Sequence, residues 1–217
     1  MEEQQHDNVG YQKFRDALEA GRLKPGMVIT QNELCDMLGM SLSPLRETLV
    51  LLEEFGLVEI KPRAGIKIVY PEVAFIRENF QFRIMIEVHA MRTFVHTATD
   101  AWIDDMLKRH LACKAFIESG ADFETVKRQV VDLDKQLHRS LVDVLNNGAI
   151  TAMHERLQDN LLMARRVHQR VINRHQLLET VDEHLRILES LRHRDLDGAI
   201  ANLEAHFRAS THRTFTS

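Results

Sequence analysis

TQNELCDMLGMSLSPLRETLVLLEEFG, residues 30–56, holds two helix starts and two helix stops in close succession. Thr30-Gln31-Asn32-Glu33 reads as a capping box, in which the Thr30 hydroxyl accepts from the backbone N–H of Glu33 and the Glu33 carboxylate reaches back to Thr30. Leu34, Met37 and Leu38 follow at helical spacing, and Gly39 ends the helix. A second start falls at Ser43, an N-cap with Pro44 at the first helical position. Leu45, Leu49, Leu52 and Phe55 then point inward, and Gly56 closes the segment. Two short helices joined by Gly39-Met40-Ser41-Leu42 make a helix-turn-helix.

Upstream, Tyr11, Phe14, Ala17 and Leu18 mark a further helix that stops at Gly21, and Lys24-Pro25-Gly26 makes a turn. Downstream, Leu57-Val58-Glu59-Ile60 and Ile66-Lys67-Ile68-Val69 read as strands joined by Pro62-Arg63-Ala64-Gly65. Three helices and a hairpin make a winged helix-turn-helix over residues 1–72. After Pro71 the chain has no proline and is rich in helix formers. The apolar periodicity predicts six amphipathic helices near 73–98, 100–119, 122–146, 148–171, 174–193 and 196–213, with Asp100, Asp122, Asn147 and Asp195 as N-caps. The expected fold is mainly α: a winged helix-turn-helix with a small β-hairpin, then an all-helical antiparallel bundle over 73–217.

The composition agrees. Of 217 residues, 44% are hydrophobic and 28% charged, which is globular, and nine Gly with four Pro argue against an all-β chain. Cys35 and Cys113 lie far apart with no partner at zinc-finger spacing, so both read as reduced thiols. The start is polar and acidic, and no apolar run reaches the roughly 20 residues of a membrane span. A cytoplasmic protein with no membrane contact is expected.

In a helix-turn-helix the second helix enters the major groove by its N-terminal end. Ser41 and Ser43 there suit phosphate oxygens, and Arg46 suits the O6 and N7 of guanine. Lys61, Arg63 and Lys67 place positive charge on the wing. Against this, residues 1–75 hold 8 Lys/Arg and 12 Asp/Glu, so a DNA-binding face has to come from local placement rather than bulk charge. The competing reading is a small module in which Ser43 only caps and Arg46 is solvated.

Twelve histidines are the compositional oddity. His206 falls in the stripe of Leu196, Ala199, Ile200, Leu203 and Phe207, and His184 in that of Leu177, Val181, Leu188 and Leu191. Asp134 and His138 are four apart on one face of a third helix. A lone histidine on an apolar face is usually a hydrogen-bonded core residue, but three such faces plus a carboxylate favour a divalent transition metal. Zinc comes first, with nickel, iron or manganese as alternatives. Four protein ligands leave a five- or six-coordinate ion with open positions for an anionic small molecule. Histidines 6, 89, 96, 110, 154, 168, 175, 193 and 212 lack comparable spacing and read as surface or ordinary core residues.

Gly21-Arg22-Leu23-Lys24-Pro25-Gly26, Glu33-Leu34, the run from Ser41 to Leu49, and Gly56-Leu57-Val58 resemble the GntR family of bacterial transcription regulators. The resemblance implies DNA contacts by Ser41, Ser43 and Arg46, and minor-groove entry by the wing near Arg63 and Gly65. Leu42 stands where the family often carries Arg and Asn32 where some members do, and both losses remove phosphate or base contacts that bear on the operator read. Residues 73–213 resemble the FCD ligand-binding domain of the FadR branch. Asp134-Lys135-Gln136-Leu137-His138 matches its Asp-x-x-x-His motif, with Leu137 where Phe is usual, and His184 and His206 match its closing pattern. The resemblance implies Asp134, His138, His184 and His206 as metal ligands. It also implies Arg83, within the Arg-x-x-x-Glu pair with Glu87, as an effector-binding residue; the plain alternative is a surface salt bridge.

The sequence therefore predicts a metal-containing, carboxylate-responsive transcription regulator of the repressor type. It is expected to bind a pseudo-palindromic operator as a homodimer. A helical metallohydrolase using the same four ligands is the alternative, and a metal-free hydrogen-bonded core is the blander one.

Overall fold

The computed structural model describes residues 9–54, 56–62, 64–69, 73–167 and 172–215. Phe55 and Arg63 therefore lie outside the described residues, as do His6 and His168. The chain divides into two compact units. One is Met1–Asn79 with Glu155–Arg170, and the other is Phe80–His154 with Val171–Ser217.

In the first unit, helices α1 (Val9–Glu19), α2 (Gln31–Leu38) and α3 (Leu42–Glu54) pack with strands β1 (Val28–Ile29), β2 (Val58–Lys61) and β3 (Gly65–Ile68). The sheet order is β1-β3-β2, antiparallel throughout, with Ile29 opposite Ile66 and Val58 opposite Ile68. The expected hairpin is therefore the larger part of a three-stranded sheet. Strand β1, two residues long, is too short to carry an alternating pattern. Phe14, Leu18, Leu34, Leu45, Leu49, Leu52, Ile66 and Ile68 form the core.

The Thr30 capping box is present in full, and Gly39 takes φ 58° to end α2. Helix α3 begins at Leu42, earlier than Ser43, with the Leu45 N–H bonded to the Ser41 carbonyl. Pro44 sits comfortably inside the first turn because the first N–H groups of a helix have no intrahelical partner to lose.

The long helices are α4 (Val73–Thr97), α5 (Asp100–Glu118), α6 (Phe123–Asp143), α7 (Gly148–Val167), α8 (Arg174–Arg192) and α9 (Leu196–Phe215). Each lies within a few residues of its expected span. Asp122 caps α6, and the Asn147 and Asp195 carboxamide and carboxylate oxygens accept from the first turns of α7 and α9. The cap of α5 is Thr99 rather than Asp100; its hydroxyl accepts from the Trp102 N–H. Among the described residues no helix is long and apolar enough to cross a membrane.

Remote arginines close two helix ends. Arg194 donates to the Val95 and Ala98 carbonyls at the end of α4 and pairs with Asp100, while Arg174 donates to the Gly120 and Ala121 carbonyls beyond α5. Both restore hydrogen bonds that a helix C-terminus leaves open.

Candidate metal centre and nucleic-acid face

All six long helices send a polar side chain into the interior of the second unit. Asp134, His138, His184 and His206 come together so that one ligand atom from each lies within 4.8 Å of the others. The three imidazoles are buried, and Asp134 keeps 15% of its side chain exposed.

The hydrogen bonds fix which nitrogen faces inward. His138 Nδ1 donates to Glu87 Oε2 at 2.5 Å, and His206 Nδ1 donates to Glu183 Oε2 at 2.8 Å. His184 Nδ1 lies 3.2 Å from His110 Nε2. Each ring thus spends Nδ1 on an outward partner and turns Nε2 toward Asp134. His184 Nε2 stands 3.4 Å from Asp134 Oδ1 and His138 Nε2 stands 3.5 Å from it. His184 Nε2 is buried with no hydrogen-bond partner among the described residues. Neutral imidazole nitrogens and a carboxylate facing one another are all electron-pair donors, and burial raises the cost of leaving them so. The donor set fits a divalent cation, and outward partners on every ring are the usual second layer of such sites.

The ionisation states agree. Burial works against charge on Asp134, but His138 and His184 outweigh it and hold its carboxyl well below the usual range. Burial pushes His206 down to about 3 and His184 below its ordinary value. His138 goes the other way: burial and Arg83 oppose its charge, but Glu87 and Asp134 win and raise it. His206 Nε2 lies 3.3 Å from His138 Nε2.

Glu87 is a buried hub. It accepts from Arg83 Nε at 2.6 Å, His154 Nε2 at 2.8 Å and His138. Burial opposes its charge, yet Arg83 and His138 keep it ionised. Arg83 is therefore no surface salt bridge; it is 2% exposed, its guanidinium lies 4.9 Å over the Phe207 ring, and its Nη2 is buried without a hydrogen bond among the described residues. Glu183, pushed down to about 2 against its own burial by Arg213 and His206, is the second hub, and Arg213 forks onto both its oxygens.

His110, His154 and Glu183 are the members that sequence spacing passed over. The signal existed for two of them. His110 lies in the buried stripe of Ile103, Met106, Leu107, Cys113 and Ile117 on α5, and His154 precedes buried Leu157 and Leu161 by three and seven residues.

In the other unit Ser41, Ser43 and Arg46 are exposed around the start of α3, with Leu42 half-buried among them. Lys13 donates to the Gly39 carbonyl at 2.9 Å and Arg22 to the Met37 carbonyl at 2.7 Å, so two bases from outside α2 close its C-terminal end. Lys61, exposed, and Lys67, half-buried, share Glu59, at 3.5 Å and 3.9 Å. Gly65 has φ 99°, and a Cβ there would stand 3.0 Å from the Ile29 carbonyl oxygen, so the sheet itself requires glycine. Arg63 lies outside the described residues.

Residues 9–68 match the gntR family of bacterial regulatory proteins, and residues 78–209 match the FCD domain. An uncharacterized HTH-type transcriptional regulator of Bacillus subtilis, YdhC, is 25% identical over 197 residues, covering 91% of this chain and 85% of that one. The HTH-type transcriptional repressor NanR of Klebsiella aerogenes is 25% identical over 203 residues, covering 85% of this chain and 75% of that one. The solved structure of Escherichia coli McbR/YncC has the same fold, with a TM-score of 0.74 at 20% identity over 92% of each chain.

Proposed function

The chain belongs to the GntR family of bacterial regulatory proteins, in the branch carrying the FCD domain, and from that premise we propose a metal-containing, small-carboxylate-responsive repressor. It is a transcriptional regulator rather than an enzyme, as its relatives are. The DNA-binding part spans residues 1–72 and the sensing part 73–217. The protein acts as a homodimer on a pseudo-palindromic operator in the cytoplasm, since two-fold protein symmetry suits two half-sites. Repression follows the role of the NanR relative, a transcriptional repressor.

The observation that carries the metal reading is the orphaned His184 Nε2 facing Asp134 Oδ1 beside the inward Nε2 atoms of His138 and His206. Asp134, His138, His184 and His206 hold the ion, with zinc first and nickel, iron or manganese as alternatives. A dication bound there supplies positive charge and coordination positions open to an anion. Arg83 Nη2 supplies the second cationic contact for an organic acid, while Arg83 Nε stays committed to Glu87. Glu87 and Glu183 keep the rings oriented with Nε2 inward. Ser41, Ser43 and Arg46 read the operator, and Lys61, Arg63 and Gly65 place the wing. The acid changes DNA affinity only as far as it binds one conformational state better than the other.

Native mass spectrometry of freshly purified protein tests the assembly and metal together. One metal per chain in a dimer is expected. Mobility shift on the gene's own upstream region, with and without candidate organic acids, tests the rest. A metal-free monomer, or no sequence-specific shift at any salt concentration, sinks the reading.

A further inference from the structure

The three inward histidines are not backed alike. Glu87 backs His138 and Glu183 backs His206, but behind His184 stands another histidine, His110. His110 Nδ1 lies 2.7 Å from the Met106 carbonyl, which can only accept, so that nitrogen carries the proton. A neutral imidazole carries one N–H, so with Nδ1 committed to Met106 the His110 Nε2 faces His184 Nδ1 at 3.2 Å as an acceptor, and the proton between the rings belongs to His184 Nδ1. That leaves His184 Nε2 bare, and it is the buried nitrogen without a hydrogen bond.

We propose that His110 is a positioning residue for the metal centre: the relay from the Met106 carbonyl through His110 to His184 selects the His184 tautomer that offers Nε2 to the ion. This rests on the metal reading above. A neutral imidazole draws on the Nδ1 proton less than a carboxylate does, so His184 is the least basic of the three ligands and the most dependent on its outer partner. The arrangement also explains why a polar ring sits fully buried in the otherwise apolar stripe of α5.

The test uses the full chain, stripped with a chelator and titrated with zinc against a competing chromophoric chelator. His110→Phe keeps the bulk of the ring without an acceptor, and His110→Gln returns an acceptor oxygen. His110→Phe is expected to weaken zinc by about 10- to 100-fold, with His110→Gln recovering most of the loss. Circular dichroism of the zinc-free variants checks that both fold. On the unaltered zinc-loaded protein, nitrogen-15 spectra should show the His184 proton on Nδ1, coupled across the hydrogen bond to His110 Nε2. This readout stands even if a variant fails to fold. Wild-type zinc affinity in a folded His110→Phe, or His184 protonated on Nε2, overturns the proposal alone. An unaltered chain that takes up neither zinc nor nickel, iron or manganese overturns the metal reading and this inference with it.

Discussion

The two units carry their chemistry in opposite ways. Around the start of α3 the side chains proposed to face DNA are exposed, and below them lies a plain apolar core. Among described residues 9–69, Thr48 is the one buried polar side chain, and it bonds the Pro44 carbonyl four residues back. In the helical body the groups proposed to bind metal and acid, with their partners, are themselves the interior: Arg83, Glu87, His110, His138, His154, Glu183, His184 and His206 are all buried. An exposed site can change without cost to the fold. A buried polar network ties function to stability, because any member removed leaves its partners unpaired in a poorly solvating interior.

Removing Glu87 should break that contrast most severely. Glu87→Leu leaves Arg83, His138 and His154 without their shared acceptor, and loss of one partner of a buried ion pair costs about 3–5 kcal/mol. Urea unfolding followed by circular dichroism measures it. A loss as small as that of a surface change would show that the network tolerates rearrangement.

Metal comes next. Zinc at a hundredfold excess over its dissociation constant should stabilise the folded chain by about 2.7 kcal/mol, seen as a rise in melting temperature. Asp134→Ala should abolish that rise, since it removes the charged member of the set. An equal rise in Asp134→Ala would place the bound ion elsewhere.

Acid should act on the body through the same groups. His110 is pushed down to about 4 and His206 to about 3, chiefly by burial, while an unfolded histidine titrates near 6.5. Below 6.5 the unfolded chain binds more protons than the folded one, so stability falls as pH drops from 6.5 toward 4 and 3. Glu183, held at about 2, adds a loss below the ordinary carboxylate range, from 4.5 down. Zinc should leave over the same window, because protons compete for the ligand nitrogens. Stability that stays flat from pH 7 to 4.5 would mean the buried histidines are already charged at neutral pH.

The same contrast governs how much of each unit was legible from residue order. Six long helices and the helix-turn-helix are periodic patterns with local caps, and periodicity is a local property. The small errors are also local. Ser41 and Ser43 are both good caps two residues apart, Thr99 stands beside Asp100, and β1 has two residues. The four candidate ligands stood out because each interrupts or adjoins an apolar stripe. Glu183 did not, since what makes it a buried hub is Arg213, thirty residues on and in another helix. His110 and His154 lie on apolar stripes as His184 does, but their partners are Met106, His184 and Glu87, and only packing of helices shows that one carboxylate serves three donors.

Smaller effects belong to the head. Arg46→Ala should leave unfolding within about 0.5 kcal/mol of the parent, as expected for an exposed side chain. Operator affinity should fall by about 1–3 kcal/mol if Arg46 forks onto guanine. Equal loss on all sequences, specific or not, would instead make it a phosphate contact.

A small effect on stability is expected as well where the head's function depends on something other than its exposed contacts. Helix α2 has no basic residue in its last turn, and Lys13 and Arg22 donate to its terminal carbonyls instead. Those carbonyls lead directly into the turn that aims α3. Basic groups at a helix C-terminus are weak stabilisers at the surface, so Lys13→Gln with Arg22→Gln should lower the melting temperature by only ~2 °C. Operator binding should suffer more than stability does, because a loosened turn spreads the direction of the helix that carries Ser43 and Arg46. With both bases committed to α2 carbonyls rather than to DNA, the loss should be the same at low and high salt, whereas a lost phosphate contact would flatten the salt dependence. A flattened salt slope would move Lys13 or Arg22 from the scaffold to the DNA-contacting surface, and the head would then carry its function on exposed side chains alone.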